Sequence, residues 1–491
     1  MATNSFVNMK YAQPSRWAFP LQPKEYAPGP VPTIEEWRQL WTAWKLVTLK
    51  MIPNEALHEQ PIPLRNPLIF YLGHIPTFED IHLSRATREP PTEPKFYQQI
   101  FERGIDPDVN DPTKCHDHSE TPDTWPELHD IIAYRETVCA RIEALYKTST
   151  PWSDRTVGRA LWIGFEHEGL HLETFLWMSM LSSNIKAPPG CPRPDFIGMA
   201  KKAARERTEN QWFTTKPRKF LIGINDSDND EEGSSADFFA WDNERNPYEV
   251  SVNGFEAQAR PVSIGEYAAY LVETSQKYRL PITWTHRAKS SDEVIPNGQD
   301  GDGVKDFIDS LATRTVYGHI PLQLALDWPV YTSFDEAKTY ADWVGARIPT
   351  IHEARSIHRQ VEEENSEKQQ SDTTPRSTRD DIYTDLTGCN VGFQNFHPTP
   401  VTQNGNRLCG QGDMGGAYEW TSSYFAPQPG FKPMDIYPGY SADFMDEKHI
   451  VVVGGTWALH PRISGKKTFL NWWQEAYPYP WIGIRLVRDT S

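Results

Sequence analysis

The chain has 491 residues with 49 Lys and Arg against 66 Asp and Glu, and its net charge of −17 at pH 7 repels phosphate backbones and anionic membrane surfaces. Without a run of about 18 apolar residues or an apolar N-terminal signal, neither nucleic acid nor a membrane is an expected partner, and a soluble, cytoplasmic protein is the expectation. Five scattered cysteines, Cys115, Cys139, Cys191, Cys389 and Cys409, fit a reducing compartment rather than a disulfide scaffold, and the length calls for two or three domains.

Residues 1–30 carry several prolines and no periodicity, which reads as an extended arm. Thr33 then caps a helix from Ile34 to about Met51, with Glu35 and Glu36 in the first turn, where the dipole favours acids. A second helical pattern runs from Pro67 to Ala86, with a kink or interruption expected near Pro76, and sets His74 on an apolar turn. The loop 89–122 holds Cys115, His116 and His118; no second ligand pair at finger-like spacing accompanies them, so a solvated loop is expected. A third helix spans Trp125 to Tyr146, and Asp154 caps a fourth.

The fourth helix contains the stretch Arg159 to Met180, RALWIGFEHEGLHLETFLWMSM. His167 and His171 stand about one helical turn apart, so both imidazoles leave the same face. His-Glu-x-x-His is also the zinc-metalloprotease pattern, in which Glu168 would be the general base. Its extended form fails, because Thr174 and Trp177 occupy the places of the glycine and the third histidine. The plainer alternative is a pair of partly buried histidines satisfied by carboxylates such as Glu168 and Glu173. Four amphipathic helices over residues 31–200 make a bundle, in which His74 could meet His167 and His171 as a three-histidine metal site.

From Trp212 onward short β-like runs alternate with Gly, Pro, Asn and Asp, so the fold class is α+β with a second domain over 212–491. The polar stretches near 286–303 and 356–380 read as surface insertions, the latter containing EEENSEKQQSDTTPRSTRD, which is expected to be disordered.

Five runs in this half, PVSIGEY (261–267), YADWVGARIPT (340–350), GDMGGAYEWT (412–421), VGGTW (453–457) and GIRLVRD (483–489), occur in the order found in the formylglycine-generating-enzyme domain, a variant of the C-type-lectin fold. The first half resembles a DinB-type four-helix bundle, whose LGH (72–74) and HxxxHxE (167–173) motifs supply three iron-binding histidines. Together the two halves resemble the non-haem iron sulfoxide synthases of ergothioneine and ovothiol biosynthesis. The wording FEHEGLHLETFLWM, IYPGYSADF and NWWQEAYPYPWIGIRL is similar to the synthase portion of the fungal ergothioneine enzymes.

That resemblance implies Fe(II) on His74, His167 and His171. It implies oxygen-dependent joining of cysteine to the imidazole of hercynine (N-α-trimethylhistidine) as a sulfoxide. Glu168 and Glu173 would orient the ligand histidines or serve as helix-surface acids, and Asn471 could hold the substrate carboxylate through water. Trp472, Trp473 and Trp420 are candidates for an aromatic face to the trimethylammonium group, with packing in the lectin-like core as the alternative for each. The position of a bacterial catalytic tyrosine is Gln428 here, and Tyr424 is the nearest substitute. Arg103 alone, among acids, stands where bacterial relatives hold a glutamyl carboxylate with arginines, which favours a smaller thiol such as cysteine. Leu170 replaces a glutamine that touches substrate in some of them. No Gly-rich βα unit for S-adenosylmethionine is present, so either the chain is a fragment or a separate histidine methyltransferase supplies the substrate. Histidine in place of hercynine, as in ovothiol synthesis, a zinc hydrolase or thiol transferase, and a non-catalytic lectin-like binding protein are the competing readings.

Overall fold

The computed structural model describes residues 18–226, 228, 238–287, 303–368, 378–403 and 415–490. Four helices build the first half: α1 (Ile34–Trp44), α2 (Leu68–Thr87), α3 (Leu128–Leu145) and α4 (Arg155–Ser179). α1 opens on a reciprocal cap, in which the Thr33 N–H donates to Glu36 (2.7 Å) and the Glu36 N–H donates back to the Thr33 hydroxyl (3.2 Å). It runs on as a wider π-helical turn, Lys45–Lys50. Asp154 caps α4 by accepting from the N–H groups of Thr156 (2.9 Å) and Val157 (3.2 Å).

α2 is buried on every side from Leu68 to Ser84, the mark of a central helix. Of the kink or interruption expected near Pro76, the interruption does not occur: the helix passes through it, and the packing of α2 on α4 holds the turn that lacks the proline's donor.

The second half is organised around a four-stranded sheet of β5 (Tyr418–Tyr424), β6 (His449–Gly454), β7 (Asn471–Gln474) and β8 (Ile482–Gly483), in the spatial order β7-β6-β5-β8. A three-stranded sheet of β1 (Trp212–Thr214), β4 (Phe255–Gln258) and β9 (Val487–Asp489) and a hairpin of β2 (Arg218–Ile222) and β3 (Tyr248–Val252) flank it.

Three sequence expectations about this organisation change. Helix α5 (Phe196–Glu206), placed at the end of the bundle by a boundary at 200, packs Phe196 on Trp328 and His397 of the second half. The polar stretch 356–380 begins as part of helix α6 (Ile351–Lys368), with Ala354, Ile357 and Val361 buried; an apolar stripe at i, i+3, i+7 inside a polar composition seats one face on the sheet. Residues 369–377 of that stretch, and 288–302 of the other, lie outside the described residues. Of the arm, residues 1–17 also lie outside; the part from 18 to 30 is docked, with Tyr26 buried and Arg462 donating to the carbonyls of Gly29 (2.5 Å) and Pro30 (2.7 Å).

The two halves share one core. Bundle residues such as Trp37, Phe165 and Trp177 belong to the same buried cluster as Trp457, Tyr477 and Trp481. One polar cluster crosses the seam with its groups paired: Lys466 Nζ lies 2.9 Å from Glu166 and 3.1 Å from Glu244, and the indole N–H groups of Trp162 and Trp241 also donate to Glu166. Among the described residues no helix is long and apolar enough to cross a membrane.

Candidate metal centre

α2 and α4 lie side by side, and the contact brings His74 against His167 and His171. Their ring centroids are 4.9 and 4.7 Å from that of His74 and 4.4 Å from each other. One ring nitrogen from each lies within 4.8 Å of the other two, and among the described residues this is the only such cluster of His, Cys, Asp or Glu. Cys115, His116 and His118 form none.

His74 is fixed from behind. Its Nδ1–H donates to the Phe101 carbonyl at 2.6 Å, which leaves a lone pair on Nε2, as a metal ligand requires. Gly73 makes that contact possible, since a Cβ there would lie 2.4 Å from the Phe101 ring. His74 Nε2 faces His171 Nε2 at 3.1 Å. Between nitrogens that close, either a shared proton or a cation has to lie. Two nitrogens each about 2.1 Å from one ion and at right angles would stand about 3 Å apart, so the spacing fits a shared metal.

Burial decides the charge state of the donors. It holds His74 down to about 4 and His167 and His171 well below the usual imidazole value, with neighbouring imidazoles adding to the effect on the latter two. All three are therefore neutral, each with one ring nitrogen free of a proton and able to bind a metal. Phe78 stacks on His167 at 3.6 Å and Phe70 on His74 at 5.1 Å, a dry aromatic wall. Three neutral nitrogens and no carboxylate suit a borderline divalent ion such as Fe(II) or Zn(II) rather than Mg(II) or Ca(II).

The supporting residues differ from expectation. Glu168 is fully buried but bonds Arg135 of α3 (2.5 Å), and Glu173 accepts from the hydroxyls of Tyr418 (2.8 Å) and Thr456 of the second half. Neither orients a ligand histidine, because both leave α4 on other faces. Burial pushes the Glu173 carboxyl up to about 7, against the two hydroxyls that pull it down.

The aromatic candidates separate. Trp420 is buried in the sheet core, its N–H on the Thr332 carbonyl (2.9 Å). Trp472 stacks flat on Phe425 at 4.1 Å, on the face of β7 opposite Asn471 and Trp473. Only Trp473 reaches the bundle, edge-on to Trp177 at 5.6 Å. Its face is already taken by a cation of the protein: the Arg65 guanidinium lies 5.5 Å from Trp473, 5.6 Å from Trp177 and 5.3 Å from Tyr477, donates to the Tyr477 hydroxyl (2.5 Å), and pairs with Asp106 (2.8 Å). A free aromatic cage made of Trp420, Trp472 and Trp473 is thus not what the sequence builds.

Tyr424 is half exposed and donates to Glu475 (2.9 Å); it makes no contact with the three histidines. The tyrosines near them are Tyr71, whose ring is 5.8 Å from His171, and Tyr437, which meets Phe78 at 5.3 Å and His82 at 5.9 Å. Sequence reasoning missed both, along with Arg65. Tyr71 had a signal, its place one turn before His74 in YLGH, whereas Tyr437 reaches the site only through the tertiary fold.

Comparison with known proteins agrees with this architecture. A family model described as the sulfatase-modifying factor enzyme 1-like domain matches residues 199–490, and one for the DinB superfamily matches 33–175. The chain belongs to the sulfatase-modifying factor enzyme 1-like domain family. In this family member the matched domain follows a DinB-type bundle that brings the three histidines.

The chain is 44% identical to Ergothioneine biosynthesis protein 1 of Neurospora crassa over 97% of its own length and 60% of that protein. It is 32% identical to the protein of the same name from Schizosaccharomyces pombe, over 97% of the chain and 58% of that relative. Hercynine oxygenase of Mycolicibacterium thermoresistibile is 26% identical over 90% of this chain and 92% of its own. The chain thus spans about three fifths of the two fungal relatives, and the resemblance drawn from its motifs is borne out.

Proposed function

We propose that the protein is an iron- and oxygen-dependent sulfoxide synthase that joins cysteine to the imidazole of hercynine in ergothioneine biosynthesis. The observation that carries this reading is the neutral, largely buried His74–His167–His171 cluster, set in a chain that matches a hercynine oxygenase over 90% of its length. The reaction balances without an external reductant. An imidazole C–H and a thiol S–H are lost as a C–S bond forms, one oxygen atom becomes the sulfoxide, and the other leaves as water.

His74, His167 and His171 would hold Fe(II), which supplies the one-electron chemistry with dioxygen. The rest falls to the chain's own residues. Phe70 and Phe78 exclude water from the imidazole ligands, and Phe101 fixes the His74 tautomer. The fixed cation Arg65, close enough to bear on His171, favours an anionic second substrate, a thiolate, beside the metal. Asn471, on the bundle-facing side of β7, is the candidate for the hercynine carboxylate. This reading places the protein in the reducing cytoplasm, with a histidine methyltransferase supplying hercynine.

Anaerobic loading with Fe(II), followed by oxygen uptake and mass spectrometry with hercynine plus cysteine, tests it. The expected product is the hercynylcysteine sulfoxide with one oxygen molecule consumed per product. No oxygen uptake and no adduct would overturn the reading; turnover of histidine with substitution at a different ring carbon would move the protein to the ovothiol type.

A further inference from the structure

Residues 104–118 leave the bundle just after Phe101, cross to the second half and return. Their neck is closed by two hydrogen bonds: the Ser119 N–H donates to the Arg103 carbonyl (2.9 Å), and the Arg103 N–H donates to the Ser119 hydroxyl (2.8 Å). The Arg103 guanidinium, 2.6 Å from Asp443, pins that neck in place. Further out the Asp108 N–H meets the Lys114 carbonyl (2.9 Å), so the tip is folded on itself as a short hairpin. Polar contacts hold the tip down. The Gln474 side chain, at the end of β7, donates to the Pro107 carbonyl (3.0 Å) and accepts from the Val109 N–H (2.7 Å). Lys448 pairs with Asp108, and His116 meets Phe444 at 5.0 Å. Of residues 104–118 only Pro107 is buried. An element with so little buried apolar surface opens at a small part of the cost of unfolding the core.

The hairpin lies against the metal centre. Gly104 approaches Phe70, the ring stacked on His74, so closely that a Cβ there would lie 3.3 Å from it. Phe101, two residues before the neck closes, gives its carbonyl to His74. Asp106 holds the Arg65 guanidinium (2.8 Å) over Trp177 of α4, the helix that carries the other two ligands. Both arms of the neck, Glu102 and Arg103 on one side and Asp117 to Glu120 on the other, wall the cavity of about 440 Å³ that Phe78 also lines, and Phe78 is stacked on His167. The histidines are largely buried, so a solute reaches them when a part of this wall moves, and the hairpin is a part that polar contacts alone secure to the second half.

We propose that residues 104–118 are a gate over the three histidines, hinged at the Arg103–Ser119 neck and latched by Gln474 and Lys448, whose opening sets the rate at which a metal ion or small solute reaches the site. The proposal rests on the reading of the histidines as metal ligands and not on the identity of the substrates.

Hydrogen exchange of the metal-free protein reads the latch through the Val109 N–H, which only Gln474 covers at the seam. It is expected to exchange well before the amides of α2 and α4. Lys448→Ala, which loses one half-exposed ion pair, should speed it by about two- to five-fold and leave those helices unchanged. A Val109 N–H that exchanges no sooner than α2 and α4 overturns the gate, a result independent of whether the histidines bind metal. Access is read with Co(II) as the probe. Gln474→Ala, which loses two hydrogen bonds, should take up Co(II), and surrender it to excess EDTA, about ten-fold faster than the wild type. The Co(II) affinity should stay the same, because a gate speeds entry and exit alike. Unchanged rates would overturn the proposal. So would faster loss with weaker binding, since Gln474 would then be supporting the ligands rather than closing a path to them.

Discussion

His74 Nε2 and His171 Nε2 face each other at 3.1 Å, while the Phe101 carbonyl holds His74 Nδ1 at 2.6 Å. The second bond sets the tautomer that makes the first arrangement one of two ligands. A metal that binds only this folded cluster stabilises the chain by mass action, by about 4 kcal/mol at a thousand-fold excess over the dissociation constant. Added Fe(II) under anaerobic conditions is therefore expected to raise the Tm of the wild type by several degrees. His74→Ala should retain no iron after desalting and show no such rise. Full retention, measured by metal analysis, would mean that the third ligand lies elsewhere.

The ion trio at the domain seam gives a second prediction. Lys466 is wholly buried between Glu166 and Glu244, and its ammonium pairs with both carboxylates. Lys466→Met leaves two carboxylates close together in a dry site, at a cost of about 3–5 kcal/mol. The loss should be smaller at pH 5 than at pH 8, because proton uptake by Glu166, whose carboxyl burial already raises, relieves the repulsion. Denaturant unfolding of the metal-free variant at the two pH values measures both statements.

How much of this was legible beforehand follows the range of each signal. The helices and the ligand set were readable because caps at Thr33 and Asp154 and the four-residue spacing of His167 and His171 are local facts. The partners of the charged residues were not. Glu168 and Glu173 sit next to ligands in the sequence, yet a step of one or two residues on a helix turns a side chain by about 100° or 200°, toward Arg135 in one case and Tyr418 in the other. In the Asn-Trp-Trp run the alternation of a strand, a local rule, separates Trp472 from Trp473, but only the register of β7 on β6 says which one faces the bundle. The burial of α6 was hidden by composition, since its buried face, Ala354, Ile357 and Val361, is a minority of a polar helix.

Asp242 supplies a pH prediction independent of the metal ligands. It lies in the strap after Ala240, accepts from the Ser441 hydroxyl, and burial pushes its carboxyl up to about 6. A raised folded value means that the folded state holds the proton more tightly than the unfolded one. The resulting stability is fully present below about pH 4 and is lost as pH rises through about 6. Asp242→Asn should match the wild type near pH 4 and exceed it by up to about 3 kcal/mol at pH 7. An unfolding free-energy difference that stays flat over this range would show that folding does not raise the Asp242 carboxyl.

The last prediction concerns which tyrosine serves the reaction. Tyr424 lies at the end of β5 with a solvent-facing hydroxyl on Glu475, so Tyr424→Phe removes one exposed hydrogen bond and should leave kcat within about twofold. Tyr437 instead lines a cavity of about 440 Å³ with Phe78, His82 and Arg103, and Phe78 is the ring that covers His167. Its ring is partly buried against Phe78, and desolvation raises its hydroxyl, which keeps it protonated one aromatic ring away from His167. Tyr437→Phe is expected to lower kcat by at least about ten-fold with iron content unchanged, the size of effect that loss of a proton donor produces. Steady-state oxygen consumption for the two variants decides between them, and a loss confined to Tyr424→Phe would require β5 to swing its end toward the bundle during turnover.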